Sequence, residues 1–283
     1  MNNFPDSLRF ELGKHIETFV RWLDTNFSGL FDAISASLLW VMVHMENYLI
    51  MIPWWLVILV VFILGWRCAS IVSGIVFSLL MILVGSFGYW DYTMMTLAIV
   101  LASVFISLLF GIPIGIAMAY NRTTEAIMKP ILDAMQTMPS FVYLIPAMIF
   151  FGLGKVPAVI ATIIYAIPPV IRLTNLAIRR VSKDMVEAAY SYGSSPMQVL
   201  TKVQLPQALP TIMTGINQTT MMALAMVVIA SMIGAQGLGM EVLIAINRID
   251  IARGFEAGLG IVILAIIMDR ISQGIAKNSQ VKE

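Results

Sequence analysis

Hydrophobic positions along this chain fall into long charge-free runs separated by short polar breaks. A charge at mid-bilayer costs about 2.5–3.5 kcal/mol on insertion scales, so a run without one marks a candidate membrane span. Residues 47–66 form the first run, between Glu46 and Arg67, and residues 68–90 form the second, up to Asp91. Residues 92–121 hold the third, centred on Thr96–Ala119, and residues 134–154 make the fourth. Pro157–Ile178 make the fifth, with Arg172 near its end, and Ile212–Ile233 the sixth, within 203–240. Gly254–Ile275 make the weakest, because Asp269 and Arg270 fall inside it. Each approaches the ~20 residues needed to cross ~30 Å of hydrocarbon. The pattern predicts an all-α integral membrane protein of about seven transmembrane helices.

The first 46 residues follow another rhythm. Leu8, Leu12, Ile16, Phe19, Val20 and Leu23 recur at helical spacing, as do Leu30, Phe31, Ile34, Leu38, Val41, Met42 and Met45. Glu11, Lys14, Glu17, Arg21 and Asp32 fall between them. This predicts two amphipathic helices that lie on the membrane surface or on the protein. The expected division is an amphipathic tail over 1–46, two peripheral spans over 47–90 and a core over 91–283.

Composition agrees with the pattern. Of 283 residues, 59% are hydrophobic and 12% charged, with mean hydropathy +0.89. A soluble domain carries about 25% charged residues, so lipid is expected to solvate much of this chain. A net charge of +1 gives no case for a nucleic-acid partner. One cysteine, Cys68, excludes an internal disulfide and a multi-cysteine metal site, and His15 and His44 stand alone in the tail, so no metal is assigned. Charges recurring from Asp6 to Asp24 leave no early apolar region of a secretory signal, so the spans themselves are expected to direct insertion.

Lys and Arg set the expected orientation. With the loop after the fifth span in the cytoplasm, Arg67, Arg122, Lys129, Arg172, Arg179, Arg180, Lys183, Lys202, Arg270, Lys277 and Lys282 lie inside. Lys155, Arg248 and Arg253 lie outside, with Arg9, Lys14 and Arg21 of the tail. The N-terminus is thus expected outside and the C-terminus inside.

That cytoplasmic loop, Val181–Pro210, is the longest polar interruption between strong spans, and two short helices are predicted in it. Ser182 is a suitable N-cap, with Asp184 in the first turn where the helix dipole favours a negative charge. Gly193 permits a sharp turn. Ser195 then caps a second helix, with Pro196 at its first position and Gln198 completing a capping box. Pro206 disfavours helix at Leu205, so the second helix is expected to end there. A well-specified helix–turn–helix with a small-residue face suits docking into a groove on another protein; an ordinary loop remains the competing reading.

Glu187-Ala188-Ala189, then Gly193, then Val203-Gln204-Leu205-Pro206 after nine residues, resembles the EAA signature of ABC importer permeases. Val203 stands where that signature has Ile. Gln136-Thr137-Met138-Pro139-Ser140-Phe141-Val142-Tyr143-Leu144-Ile145-Pro146 and Ile233-Gly234-Ala235-Gln236-Gly237-Leu238-Gly239 are similar to glycine betaine/proline betaine (osmoprotectant) permeases of the ProW and OpuAB type. The resemblance implies a five-helix, MetI-like core formed by the third through seventh spans. It implies a second copy of the chain, two ABC ATPase subunits that bind ATP and Mg, and an extracytoplasmic substrate-binding protein. It also implies that the loop is the coupling element: Glu187, Ala188, Ala189 and Gly193, followed by Ser195, Pro196, Leu205 and Pro206. The chain has no G-x-x-x-x-G-K-[ST] phosphate loop, so no cofactor and no enzymatic step are expected in it.

Polar groups inside spans face a bundle interior or a water-filled cavity. Gln136, Ser140 and Tyr143 in the fourth span, and Asn217, Gln218 and Thr219 in the sixth, are therefore the candidate pathway residues, with hydrogen bonding between helices as the alternative. Two other functions stay open: a permease of the same fold for an amino acid such as methionine, and a stand-alone secondary transporter. The coupling-type loop and the lack of paired intramembrane acids argue against the latter.

Overall fold

A computed structural model of the chain describes residues 12–278, and no strand occurs among them. The predictions for Asp6, Leu8, Arg9, Glu11 and Lys282 lie outside the described residues. Every charge-free run is helical, but the shapes differ from straight rods.

The tail forms α1 (Leu12–Met51), in which two helical segments join at a kink, as the two expected helices would. Non-helical dihedrals at Phe27 (φ −119°, ψ 16°) kink it where two helices were expected to separate. It runs past residue 46, and the break falls instead at Ile52–Pro53, because proline removes a donor and restricts the residue before it. Two short apolar helices follow, α2 (Trp54–Cys68) and α3 (Ile71–Ser86). At 15 and 16 residues they span about 22–24 Å. They cross closely where Gly65 faces Gly74.

The core starts with α4 (Trp90–Tyr120). Asn121 ends it and at once caps α5 (Arg122–Thr137), its Oδ1 accepting from Thr123 N (2.8 Å) and Thr124 N (3.3 Å). The fourth apolar run is bent rather than straight. After Pro139 a 3₁₀ turn (Ser140–Tyr143) leads into α6 (Leu144–Phe151), and the two halves meet at 111°. Next, α7 (Lys155–Ala166) and α8 (Pro168–Arg179) form one 25-residue rod. The polar loop holds α9 (Lys183–Ser191) and α10 (Pro196–Val199). The remaining helices are α11 (Leu205–Ala230), α12 (Leu238–Arg248) and α13 (Ile251–Asn278).

Small residues decide how the core packs. A Cβ on Gly111 would sit 2.5 Å from Val170 Cγ1, and one on Gly115 would sit 2.7 Å from Ile171 O. So α4 and α8 touch nearly backbone to backbone. In lipid, such close van der Waals contact holds helices together where burial from water cannot. The largest apolar cluster joins α4, α7 and α11 around Ile99, Val159 and Met226. The peripheral α3 joins α13 through Phe77, Met81 and Ile263. Far from the loop, the Lys155 ammonium at the start of α7 pairs with the buried Glu46 carboxylate of α1, tying the tail helix to the core.

Candidate coupling loop and translocation face

The loop after α8 is built as a rigid unit by local chemistry. Ser182 precedes α9, but its side chain makes no capping hydrogen bond. At the other end of α9, Gly193 adopts φ +79°. Gly193 N donates to Tyr190 O (2.9 Å) and Ser194 N to Ala189 O (3.1 Å). This double closure needs a left-handed residue, and only glycine takes it without a Cβ penalty. Ser195 and Gln198 form the expected reciprocal box: Ser195 N donates to Gln198 Oε1 (2.8 Å), and Gln198 N to Ser195 Oγ (3.4 Å). Pro196 occupies the first turn of α10.

Helix does not stop before Pro206, contrary to expectation. Residues Leu200–Gln204 form a π turn in which Leu205 N reaches back to Leu200 O, and the chain flows into α11. Pro206 follows this turn directly, and its missing N–H is tolerated there because the widened turn already interrupts the regular i→i−4 ladder. The second half of the loop and the sixth span are therefore one continuous rod over Pro196–Ile233.

Glu187 and Ala188 are exposed and Ala189 is half-buried; α9 buries none of its residues. The loop presents Met185, Tyr190, Tyr192 and Met197 outward, with Tyr192 91% exposed. Behind it lies a cavity of about 210 Å³ lined by Tyr120 of α4, Arg179 of α8, Lys183 and Glu187 of α9, and Gln204 of the π turn. Tyr120 donates its hydroxyl proton to the Gln204 amide oxygen across this cavity. Sequence reading missed Tyr120, Arg179 and Gln204. Gln204 fills the unspecified position of the motif, and its partner lies 84 residues away.

The six residues proposed for a pathway separate. Gln136 and Gln218 are exposed, on α5 and α11. Ser140 is half-buried in the 3₁₀ turn, which packs on α11. Tyr143 is buried and donates to Met135 O across the bend, so it braces the turn. Thr219 is wholly buried and its Oγ1 lacks a protein partner. Asn217 donates Nδ2 to Asp269 Oδ1 (2.8 Å) of α13, and Gln273 Nε2 donates to the same carboxylate (2.7 Å). Asp269, the charge that weakened the seventh run, thus meets two amide donors rather than lipid.

A family model described as "Binding-protein-dependent transport system inner membrane component" matches residues 111–279. The chain belongs to that family. Among relatives of this transport component, it is 43% identical over 261 residues to the glycine betaine/proline betaine transport system permease protein ProW of Escherichia coli (strain K12), covering 92% of this chain and 74% of that protein. It is 46% identical over 269 residues to the glycine betaine transport system permease protein OpuAB of Bacillus subtilis (strain 168), covering 94% of this chain and 95% of that protein. A solved structure of inward-facing MetNI methionine ABC transporter superposes with TM-score 0.61 at 21% identity, covering 66% of this chain and 94% of that one. At that identity the likeness speaks for the fold, and the expected MetI-like architecture is borne out. As a member of this family the chain is a transport subunit and not an enzyme.

Proposed function

We propose that this chain is the membrane-spanning subunit of an ATP-driven importer for glycine betaine or related quaternary ammonium compatible solutes. The observation that carries the reading is the match along nearly the whole chain to permeases named for those solutes. The methionine alternative draws only on a fold likeness.

In this reading two copies of the chain enclose the pathway, two ABC ATPase subunits sit on the cytoplasmic side, and a binding protein delivers solute from outside. The N-terminus lies outside and the C-terminus inside, in a bacterial cytoplasmic membrane. Lys and Arg counting supports this orientation. The loop over 181–210 receives the motion of the ATPases. Its capping box, its Gly193 closure and its exposed Met185, Tyr190, Tyr192 and Met197 are what a rigid docking knob requires. Glu187, Ala188, Ala189, Gly193, Ser195, Pro196, Leu205 and Pro206 build that knob. ATP binding closes the partner subunits, the loop follows as a body, and the spans exchange inward- and outward-open arrangements. Such alternating access is a two-state equilibrium biased by the partner. Gln136 and Gln218, exposed on α5 and α11, are the pathway candidates best placed to meet solute, with Ser140 behind them.

The test is reconstitution in liposomes with the cognate ATPase and binding protein, reading ATP-dependent uptake of radiolabelled glycine betaine. Uptake that requires all three components, and that deletion of Glu187–Gly193 abolishes together with ATPase assembly, is the expected result. Uptake by the chain alone, or normal assembly after the deletion, would overturn it.

A further inference from the structure

The loop end of the core converges on one guanidinium. Arg179 is the last residue of α8, four positions before α9 begins. Its Nη2 lies 2.6 Å from Glu125 Oε2 in the first turn of α5 and donates to Met118 O (2.7 Å) in the last turn of α4. Its Nε donates to Asn175 Oδ1 (2.9 Å), one turn back on α8. Lys129 Nζ takes the other carboxylate oxygen of Glu125 at 2.9 Å. Three helices therefore meet on Arg179, which also lines the cavity behind Glu187 and Gln204. Charge-assisted bonds from a planar guanidinium fix both distance and direction.

The dependence of α5 on this node is unusual in the core. Leu132 is its one buried side chain among the described residues. A second ion pair, Arg172 Nη2 to Asp133 Oδ1 (2.6 Å), ties its upper half to α8. Glu125 faces Arg179 and Asp133 faces Arg172, so α5 hangs antiparallel on α8 by two charged rungs. Its far end becomes the bend at Met138–Pro139 and the 3₁₀ turn bearing Ser140. Of the two rungs, the lower is the sheltered one: the Glu125 and Arg179 side chains are 15% and 35% exposed, against 65% and 38% for Asp133 and Arg172.

We propose that Arg179, acting through Glu125, is the positioning residue that carries the state of the loop into α5 and the bent segment beside the pathway. This rests on the reading of the loop as the ATPase-docking element. Displacing α9 pulls on the end of α8, and the Arg179–Glu125 rung makes α5 follow. Without the rung, α8 and the loop still move but α5 lags, and ATP is hydrolysed without solute crossing.

The experiment uses the full transporter in proteoliposomes and reads ATP hydrolysed per solute imported. Glu125→Gln keeps the shape and the Met118 and Asn175 bonds of Arg179 while removing the charge. The expected result is normal assembly, hydrolysis within about twofold of the parent and uptake about tenfold lower, a loss typical of severed coupling. The exchange Glu125→Arg with Arg179→Glu is expected to recover part of the lost uptake. Uptake and hydrolysis falling in proportion, or neither changing in Glu125→Gln, would overturn the proposal. Its failure is separable from that of the loop reading, because ATPase assembly after the Glu187–Gly193 deletion reports on the loop alone.

Discussion

Neighbouring helices α8 and α5 are held by opposite means. Most of α8 is buried, from Pro168 through Ile178, and it presses on Gly111 and Gly115 of α4 with no room for a methyl group. By contrast α5 buries Leu132 alone and keeps its place through Glu125–Arg179 and Asp133–Arg172. Close apolar packing is short-ranged and tolerates little displacement, because a gap of half an ångström already forfeits much of each contact. Ion pairs reach further, and the planar guanidinium of Arg179 holds a helix that buries little of its own surface at a set distance and direction. One helix is a frame, and its neighbour is carried on that frame by charge.

The strongest way to break this contrast is to crowd the frame. Gly115→Leu would drive side-chain atoms into the Ile171 carbonyl and the Thr174 side chain, where a Cβ alone lies 2.7 and 2.6 Å away. Overpacking costs about 1–3 kcal/mol even where atoms can shift, and more against backbone. We expect almost no monodisperse protein after detergent extraction and size-exclusion chromatography. A normal elution peak would show that the α4–α8 contact yields. A smaller effect is expected from Leu132→Ala, which removes the apolar anchor of α5. Truncating a buried leucine costs about 2–5 kcal/mol, seen as a lower thermal midpoint with the frame still folded. An unchanged midpoint would mean that the ion pairs alone seat α5. Smallest is Arg172→Gln at the exposed upper rung, where such pairs contribute about 0–1 kcal/mol. We expect an unaltered thermal midpoint and a modest loss of uptake that shrinks further in high salt. A large loss of stability would place Arg172 in the frame instead.

Features that depend on near neighbours were legible in the sequence. The charge-free runs became helices, Ser195 and Gln198 formed their box, and Gly193 took the left-handed turn, since each is decided within a few residues. What was illegible depends on distant partners. Asp269 counted as a cost to the seventh run because its donor Asn217 is 52 residues away. Arg172 and Arg179 were read as charges marking one side of a membrane, whereas both face carboxylates of α5. The Asn217 amide NH2 bonds Asp269 of α13 and the Tyr143 hydroxyl bonds Met135 O across the bend, partners that sequence spacing gave no sign of, while the Asn217 amide oxygen is buried without a protein partner. Proline misled in both directions. Pro139 opens a sharp bend inside an unbroken apolar run, while Pro206 passes quietly because the turn before it is already widened.

That widened turn fixes an angle. An α-helix advances about 100° per residue, and the wide turn at Leu200–Gln204 takes up one extra residue without passing that rotation on to the helices either side. The direction in which Met197 points, relative to the face of α11 that carries Gln218, is therefore set by counting residues and not by any contact. Removing a single residue from the widened turn would let it close to an ordinary α turn with Met197 still on the same side, whereas removing one from the regular stretch of α11 before Gln218 would aim Met197 about a quarter of a circle away.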